Sequence, residues 1–180
     1  QLKNWDDQAI DDLNVLPEQK LALKANLAVM ACADQEVQAL EREILKRAKL
    51  RQDYQHLLTV SGIGKVLALT IALETGDVKR FAAAGNFASY ARMVNSRRES
   101  NGKTKGTGNT KCGNKHLAWA FVEAAHFAVR YDAQIKRRYQ KKAAKTLPIV
   151  AIKAVAHKLA RACYHILKTG EAFDVTRAFS

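Results

Sequence analysis

Residues 18–56 contain neither glycine nor proline and consist largely of good helix formers. Apolar side chains recur along this stretch at intervals of three, four or seven residues: Leu23, Leu27, Met30, Val37, Leu40, Ile44 and Ala48. The spacing predicts one amphipathic helix of roughly 35 residues, about 50 Å long. So long a helix with a single apolar stripe needs a second surface to cover it. That surface is either another helix in a coiled coil or the rest of its own chain.

The remaining sequence also predicts helices. No stretch alternates apolar and polar residues over the length of a strand, so the predicted fold class is all-α. We expect a polar lead-in and the long coiled-coil-like helix over residues 1–56, followed by a compact helical domain over residues 57–180. Within that domain the predicted helix boundaries include an end at Gly76, N-caps at Asn86 and Asn114, and a last helix from Leu147 to Lys168 closed by Gly170.

The domain opens with a short glycine-containing turn between two helical stretches. Residues 57–65 run Leu-Leu-Thr-Val-Ser-Gly-Ile-Gly-Lys, and an apolar helical run follows. This order predicts a helix-hairpin-helix motif over residues 57–76. In such a motif Gly62 and Gly64 let the backbone approach a phosphate, and the amides of Gly64 and Lys65 bind it at the start of the second helix. A tight turn between two packed helices would give the same pattern.

The stretch 96–116 has no apolar side chain except Cys112. Its four glycines argue against a stable helix or strand, so we expect a long functional loop. Two serines, Ser96 and Ser100, lie among six cations and one acid, Glu99. We expect the cations to hold phosphate: Arg97, Arg98, Lys103, Lys105, Lys111 and Lys115. Serine needs a base or a strong electrostatic setting to act as a nucleophile, and without one it is an ordinary turn residue.

The charge distribution favours a nucleic-acid partner. The chain of 180 residues carries a net charge of +13, and from Val60 onward basic residues outnumber acidic ones about three to one. Five of the seven residues in 136–142 are cationic, and we expect Arg137 and Arg138 to contact nucleic acid. No run is apolar enough for a membrane span, and no signal peptide is visible, so we expect a cytoplasmic protein. Three distant cysteines and five scattered histidines predict neither disulfides nor a metal site in this chain.

Five segments in this order resemble one known family. They are residues 58–64 (Leu-Thr-Val-Ser-Gly-Ile-Gly), Phe81, residues 87–91 (Phe-Ala-Ser-Tyr-Ala), residues 100–103 (Ser-Asn-Gly-Lys) and residues 111–117 (Lys-Cys-Gly-Asn-Lys-His-Leu). The chain resembles the C-terminal domain of the IS110 insertion-sequence transposases, a group that includes the Piv DNA invertase and bridge-RNA-guided recombinases. The resemblance covers about residues 57–168.

The resemblance implies a catalytic mechanism. In the family, the C-terminal domain contributes a serine that attacks the DNA backbone and forms a covalent link, and the matching position is Ser100. The resemblance also implies an N-terminal RuvC-like domain, in which four carboxylates bind a divalent metal such as Mg²⁺, joined by a long coiled coil. That domain is absent from these residues, so this polypeptide alone is expected to be incomplete and to need no cofactor of its own.

The resemblance implies DNA as a partner, and a guide RNA in some members. The apolar stripe of the long helix predicts pairing with a second copy of the chain. The chain also departs from the family. Where members often have Gly-Leu-x-Pro, it has Arg92-Met93-Val94-Asn95, and Asn101 rather than glycine follows Ser100. Ser96 therefore stays a second candidate nucleophile. The alternatives are a non-catalytic helix-hairpin-helix module that only grips nucleic acid, and an oligomerisation scaffold.

Overall fold

The computed structural model describes residues 5–49, 51–94, 97–107 and 112–179, and at 97, 98, 104 and 107 it describes the backbone only. Over these residues the chain is mostly helical, as predicted. The helices are α1 (Asp7–Asp11), α2 (Pro17–Ala48), α3 (Gln52–Leu57), α4 (Lys65–Thr75), α5 (Ala84–Tyr90), α6 (Lys115–Tyr131), α7 (Ala133–Ala143), α8 (Pro148–Thr169) and α9 (Val175–Phe179). A 3-10 turn spans Val78–Arg80, and two strands, β1 (Arg97–Ser100) and β2 (Lys103–Thr107), lie between α5 and α6.

Contacts divide the chain into two compact units, residues 1–47 and residues 48–180. In the first unit the predicted polar lead-in contains the short helix α1. Asp6 caps it by accepting a 2.8 Å hydrogen bond from the amide of Ala9, and Ile10 is fully buried. Lys24 of α2 forms a 2.8 Å ion pair with Asp11, and this hydrogen bond raises the pKa of the lysine.

The long helix is shorter than predicted because it ends at Ala48 and not near His56. The side-chain amide of Gln55 donates a 3.0 Å hydrogen bond to the carbonyl of Lys49, which helps to satisfy the end of the helix. Arg51 then takes an extended backbone conformation and pairs with Asp53 at 2.6 Å before α3 begins. The interruption lets Tyr54 and Leu57 enter the core of the second unit.

The core of the second unit forms around α8, which packs against α3, α5, α6, α7 and α9. Its inner face alternates large residues with alanines, and the small alanines let neighbouring helices approach closely. An aromatic cluster fills the space towards α5 and α6. The ring centroids of Phe87 and Phe121 lie 5.9 Å apart, and the buried hydroxyl of Tyr164 donates a 3.0 Å hydrogen bond to the carbonyl of Phe81.

Several predicted boundaries are confirmed. The second helix of the expected helical hairpin ends at Gly76, Asn114 caps α6, and Gly170 ends α8 in the left-handed conformation with φ of 72°. The N-cap predicted at Asn86 is wrong: α5 begins at Ala84, and Ala83 precedes it in an extended conformation. The prediction of no strand is also wrong, as the next subsection describes.

Gly62 is required by close packing. Its φ is +88°, and an added Cβ would lie 2.4 Å from the carbonyl oxygen of Ala124 and 2.5 Å from the amide nitrogen of Ala128. We predict that Gly62→Ala lowers the free energy of unfolding by about 2–5 kcal/mol, since it adds left-handed strain and overpacking against backbone. Urea unfolding followed by circular dichroism measures the change.

The control for this substitution is Gly85→Ala. Gly85 is exposed within α5, and an added Cβ there would meet no atom within 4 Å. That variant should be neutral or up to about 1 kcal/mol more stable. Equal effects of the two substitutions would contradict the packing role of Gly62.

Candidate functional site

The basic stretch expected to be a loop contains an antiparallel β-hairpin. Strands β1 and β2 pair, with Ser100 opposite Lys103 and Arg97 opposite Thr107. Asn101 and Gly102 connect them, with φ of 54° and 73°. Positive φ at both turn residues is what a two-residue hairpin of type I′ requires, and Asn-Gly is its preferred sequence. The Asn-Gly dipeptide is therefore the sequence signal for the hairpin. This signal was missed because all four glycines of the stretch were treated as breakers of helices and strands.

Ser100 lies at the tip of the hairpin, directly before the turn, and its side chain is exposed. Lys103, its cross-strand partner, is exposed as well. Directly opposed residues in such a pair have Cα atoms about 4.5–5.5 Å apart. The register shifts between Arg98 and Glu99, which leaves Lys105 as the extra residue of a bulge. The hairpin therefore brings the predicted nucleophile and a predicted phosphate-binding lysine together.

The other predicted residues of this stretch are placed to differing degrees. Arg97 and Arg98 lie on β1, the strand that ends at Ser100. Lys115 is the exposed first residue of α6. Ser96 and Lys111 fall outside the described residues.

One residue, Asn114, connects the C-terminal end of the basic stretch to three helices, α4, α5 and α6. Its Oδ1 accepts hydrogen bonds from the amides of His116 at 2.8 Å and Leu117 at 3.0 Å, which caps α6. Its Nδ2 donates to Glu74 of α4 at 2.6 Å. Its backbone amide donates to the carbonyl of Tyr90, the last residue of α5, at 2.7 Å. The sequence predicted the cap but gave no signal for the bonds to Glu74 and Tyr90.

Arg92 and Gly113 form a second bond across the roots of the hairpin. The guanidinium of Arg92 donates to the carbonyl of Gly113 at 3.1 Å, and Arg92 itself has a φ of 59°. Gly113 has a φ of +83°, and an added Cβ would lie 2.5 Å from the carbonyl oxygen of Tyr90. The two chain ends thus approach closely enough that only glycine fits at position 113.

Arg80 and Tyr90 form a cationic–aromatic cluster beside these roots. The guanidinium carbon of Arg80 lies 4.6 Å from the ring centroid of Tyr90 and 4.4 Å from that of Phe81. A hydrogen bond from Arg80, with a further one from Asn114, lowers the pKa of Tyr90. Sequence analysis missed Glu74, Arg80 and Tyr90, because their roles depend on contacts between residues distant in the chain.

The predicted helix-hairpin-helix segment folds as α3, a turn and α4. Gly64 precedes α4 in an extended conformation with no side-chain cap, and Gly64 and Lys65 are both exposed. The first amides of α4 are therefore suited to an anion. Gly62 is not exposed in the same way as Gly64, because it packs against the backbone of α6. Ser61 donates a 2.9 Å hydrogen bond to Asp132, whose other oxygen caps α7, so the turn is fixed to the α6–α7 junction.

The predicted basic helix is α7, on which Arg137 and Arg138 are exposed. Arg138 lies near enough to Lys158 of α8 to contribute, after burial, to lowering the pKa of that lysine. Like charges held close together favour the binding of an anion between or beside them.

Two features are absent from the described part of the chain. No group of three or more His, Cys, Asp or Glu side chains is arranged to hold a metal ion. No helix there is both long and apolar enough to cross a membrane.

Comparison with known proteins identifies the hairpin-bearing segment. The model of the transposase IS116/IS110/IS902 family matches residues 54–140. The chain is 27% identical to the transposase for insertion sequence element IS1328 of Yersinia enterocolitica, over 78% of this chain and 43% of that protein. It is 23% identical to the transposase for insertion sequence element IS1111A of Coxiella burnetii, over 74% of this chain and 36% of that protein. Residues 54–140 match the IS116/IS110/IS902 transposase family, and these relatives support the same family identity. The chain spans less than half the length of these two relatives.

The matched segment, residues 54–140 (the transposase segment), includes all the residues that the sequence predicted to bind nucleic acid. It begins in α3, contains the turn before α4, the hairpin and the α6 cap, and ends within the basic helix α7. The resemblance inferred from the ordered motifs is thereby confirmed. The central helix α8, which follows the transposase segment, supplies the surface on which that segment packs.

We predict that Asn114→Ala destabilises the second unit by about 1–2 kcal/mol, because α6 loses its cap. Asn114→Asp is the matched comparison, since aspartate caps a helix equally well but brings a second carboxylate against Glu74. Its destabilisation at neutral pH should shrink as the pH is lowered, because protonation of either carboxyl group removes the repulsion. Urea unfolding across this pH range measures both effects. If the free energy of unfolding of Asn114→Ala equals that of the wild type, Asn114 does not anchor α6.

Proposed function

We propose that this chain is the serine-bearing domain of a transposase that cuts and rejoins DNA through a covalent phosphoserine intermediate, with Ser100 as the nucleophile. The observation that carries the proposal is the position of Ser100. It is exposed at the tip of a basic hairpin, opposite Lys103, within a segment of a transposase family. An exposed serine on a protruding hairpin can reach a phosphodiester that a serine inside a cleft could not.

The proposed step is a transesterification. The Ser100 oxygen forms a bond to phosphorus while the bond from phosphorus to one bridging oxygen of the DNA backbone breaks. The serine gives up its hydroxyl proton, and the departing DNA oxygen takes up a proton. Because one phosphate ester replaces another, the reverse attack by a DNA hydroxyl rejoins strands without a further energy source. Lys103 would stabilise the charge that develops on the serine and phosphate oxygens.

The other cations would position the DNA. Arg97 and Arg98 on the same strand, with Lys103, Lys105, Lys111 and Lys115, would bind phosphates flanking the attacked one. The uncapped start of α4 at Gly64 and Lys65, together with Arg137 and Arg138, would hold the backbone farther away. A metal-binding RuvC-like domain would complete the active site, and Mg²⁺ bound there would neutralise charge at the reacting phosphate. A guide RNA is a further partner that the family resemblance allows.

We predict that Ser100→Ala in the full-length transposase abolishes strand cleavage and the covalent protein–DNA adduct. DNA affinity should change by less than a few-fold, because one neutral hydroxyl contributes little beside the cations. Denaturing gels of protein mixed with labelled DNA detect the adduct. Ser96→Ala and Ser89→Ala are the matched controls and should retain it. An adduct that persists in Ser100→Ala but disappears in Ser96→Ala would assign the nucleophile to Ser96.

The alternative function is a non-catalytic nucleic-acid-binding module. The uncapped N-terminus of α4 favours it, since that feature binds a phosphate without any nucleophile. The two functions differ in the Ser100→Ala experiment. The binding module predicts that no adduct forms with either protein and that both bind DNA equally.

We further propose that α2 pairs with the same helix of a second copy. The later part of its stripe is solvent-exposed in the single chain, with Val37 50%, Leu40 62% and Ile44 41% accessible. Each large side chain contributes roughly 1.5–3 kcal/mol when buried, so this exposed part of the stripe favours association. Pairing would also bring together two serine-bearing domains, as joining two DNA sites requires.

We predict that replacing both Val37 and Ile44 by Asp gives monomers whose second unit remains folded. Replacing Gln35 and Gln38 by Asp is the matched control, because it adds the same charge to exposed polar positions of the same helix. Light scattering at micromolar concentration measures the oligomeric state, and circular dichroism measures folding. A wild-type chain that is already monomeric in this assay contradicts the pairing.

A further inference from the structure

A cleft of about 420 Å³ lies between α8 and the C-terminal segment 171–178. It contains none of the residues assigned to the reaction or to DNA binding above. Several contacts fix its outer wall. The ammonium of Lys158 donates a 3.1 Å hydrogen bond to the carbonyl of Ala178, and the amide of Phe173 donates to the hydroxyl of Thr59 at 3.0 Å. Phe179 is buried at the end of this segment. The cleft is therefore part of the folded domain.

Three cations line the cleft from both walls. Lys158 and Arg161 come from α8 and Arg177 from the C-terminal segment, together with His157 and His165 of α8. Burial, followed by the nearby charges of Arg138 and Arg161, lowers the pKa of Lys158. Burial, followed by Arg161 and Lys158, also lowers the pKa of His157. These directions report positive charges crowded into a partly desolvated space, where a bound anion would reduce their repulsion.

The acidic residues of the cleft are already engaged. Asp174 accepts hydrogen bonds from the amides of Thr176 at 2.8 Å and Arg177 at 3.3 Å, and Glu171 pairs with Arg177 at 3.2 Å. No carboxylate forms an ion pair with Arg161 among the described residues, and Arg161 is exposed. The lining carries three cations, Lys158, Arg161 and Arg177, against these two carboxylates, so its formal charge is positive.

Apart from Thr169, the remaining lining is apolar, with Ala162, Ile166 and Phe173 among its residues. A cavity of this volume lies within the range that accommodates small organic ligands. A ligand that matches both the cationic and the apolar residues of the cleft carries a phosphate and a flat apolar group. Nucleotides meet this description, because a base packs on apolar and aromatic side chains while its phosphate pairs with arginine and lysine.

We propose that the cleft between α8 and residues 171–178 binds one nucleotide, with its phosphate at Lys158, Arg161 and Arg177 and its base against Ile166 and Phe173. The nucleotide is either free or the end of a nucleic-acid strand. The two sources present the same chemistry to the cleft. This site goes beyond the proposed reaction, and its presence does not depend on whether Ser100 is a nucleophile.

Isothermal titration of the 180-residue chain with adenosine 5′-monophosphate tests the proposal. We expect saturable binding with a one-to-one ratio, and at least about tenfold weaker binding of inorganic phosphate, which lacks the base. Arg161→Gln should weaken nucleotide binding by about tenfold or more, as expected for loss of a hydrogen bond to a charged group. Arg177→Gln on the opposite wall should weaken it in the same direction.

Lys153→Gln is the matched control, because Lys153 is an exposed cation of the same helix that does not line the cleft. It should change the affinity less than twofold. Dithymidylate with and without a 5′ phosphate separates the two sources. Tighter binding of the phosphorylated dinucleotide than of the monophosphate supports a strand end, and weaker binding supports a free nucleotide. Equal affinity for inorganic phosphate and nucleotide, or equal effects of Arg161→Gln and Lys153→Gln, overturns the proposal.

Discussion

The side chain of Asn114 links the helical scaffold to the hairpin. One amide group caps α6 and donates to Glu74, while the backbone of the same residue bonds to the end of α5. The bond to Glu74 is charge-assisted and partly buried, which makes it stronger than a neutral bond in water. Together with the bond from Arg92 to Gly113, these bonds fix the two ends of the segment between Tyr90 and Asn114 to the domain. The proposed role of Ser100 as a nucleophile would need such a fixed base, since small displacements of reacting groups slow a reaction greatly.

The departure from the family pattern at Arg92 has a structural explanation. The family resemblance leads us to expect glycine there, and in this chain the residue has a φ of 59°, a conformation that glycine adopts without strain. Arginine is strained in that conformation, but its guanidinium donates a hydrogen bond to the carbonyl of Gly113. In this chain a hydrogen bond between Arg92 and Gly113 thus accompanies the positive φ of Arg92.

The sequence predicted the elements that depend on local patterns and not those that depend on distant contacts. The cap at Asn114 and the end at Gly170 follow from residue type and neighbouring periodicity, and both are present. The early end of α2 depends on Gln55 and on burial of Tyr54, which no helical periodicity reveals. At the candidate site, the motif match located Ser100, whereas the anchoring network became visible only when α4, α5 and α6 were assembled.

Helix α6 sets a fixed distance between the two surfaces assigned to DNA. Its first turn holds the returning end of the hairpin through Asn114, and its later turns seat the glycine turn that precedes α4, through contact with Ala124 and Ala128. Fourteen residues separate Asn114 from Ala128, which corresponds to about 21 Å along a helix. That rise equals roughly six base pairs of duplex DNA. Because neither contact can slide along α6, the helix acts as a molecular ruler between the anchored end of the basic stretch and the glycine turn, the two regions that we propose to contact DNA.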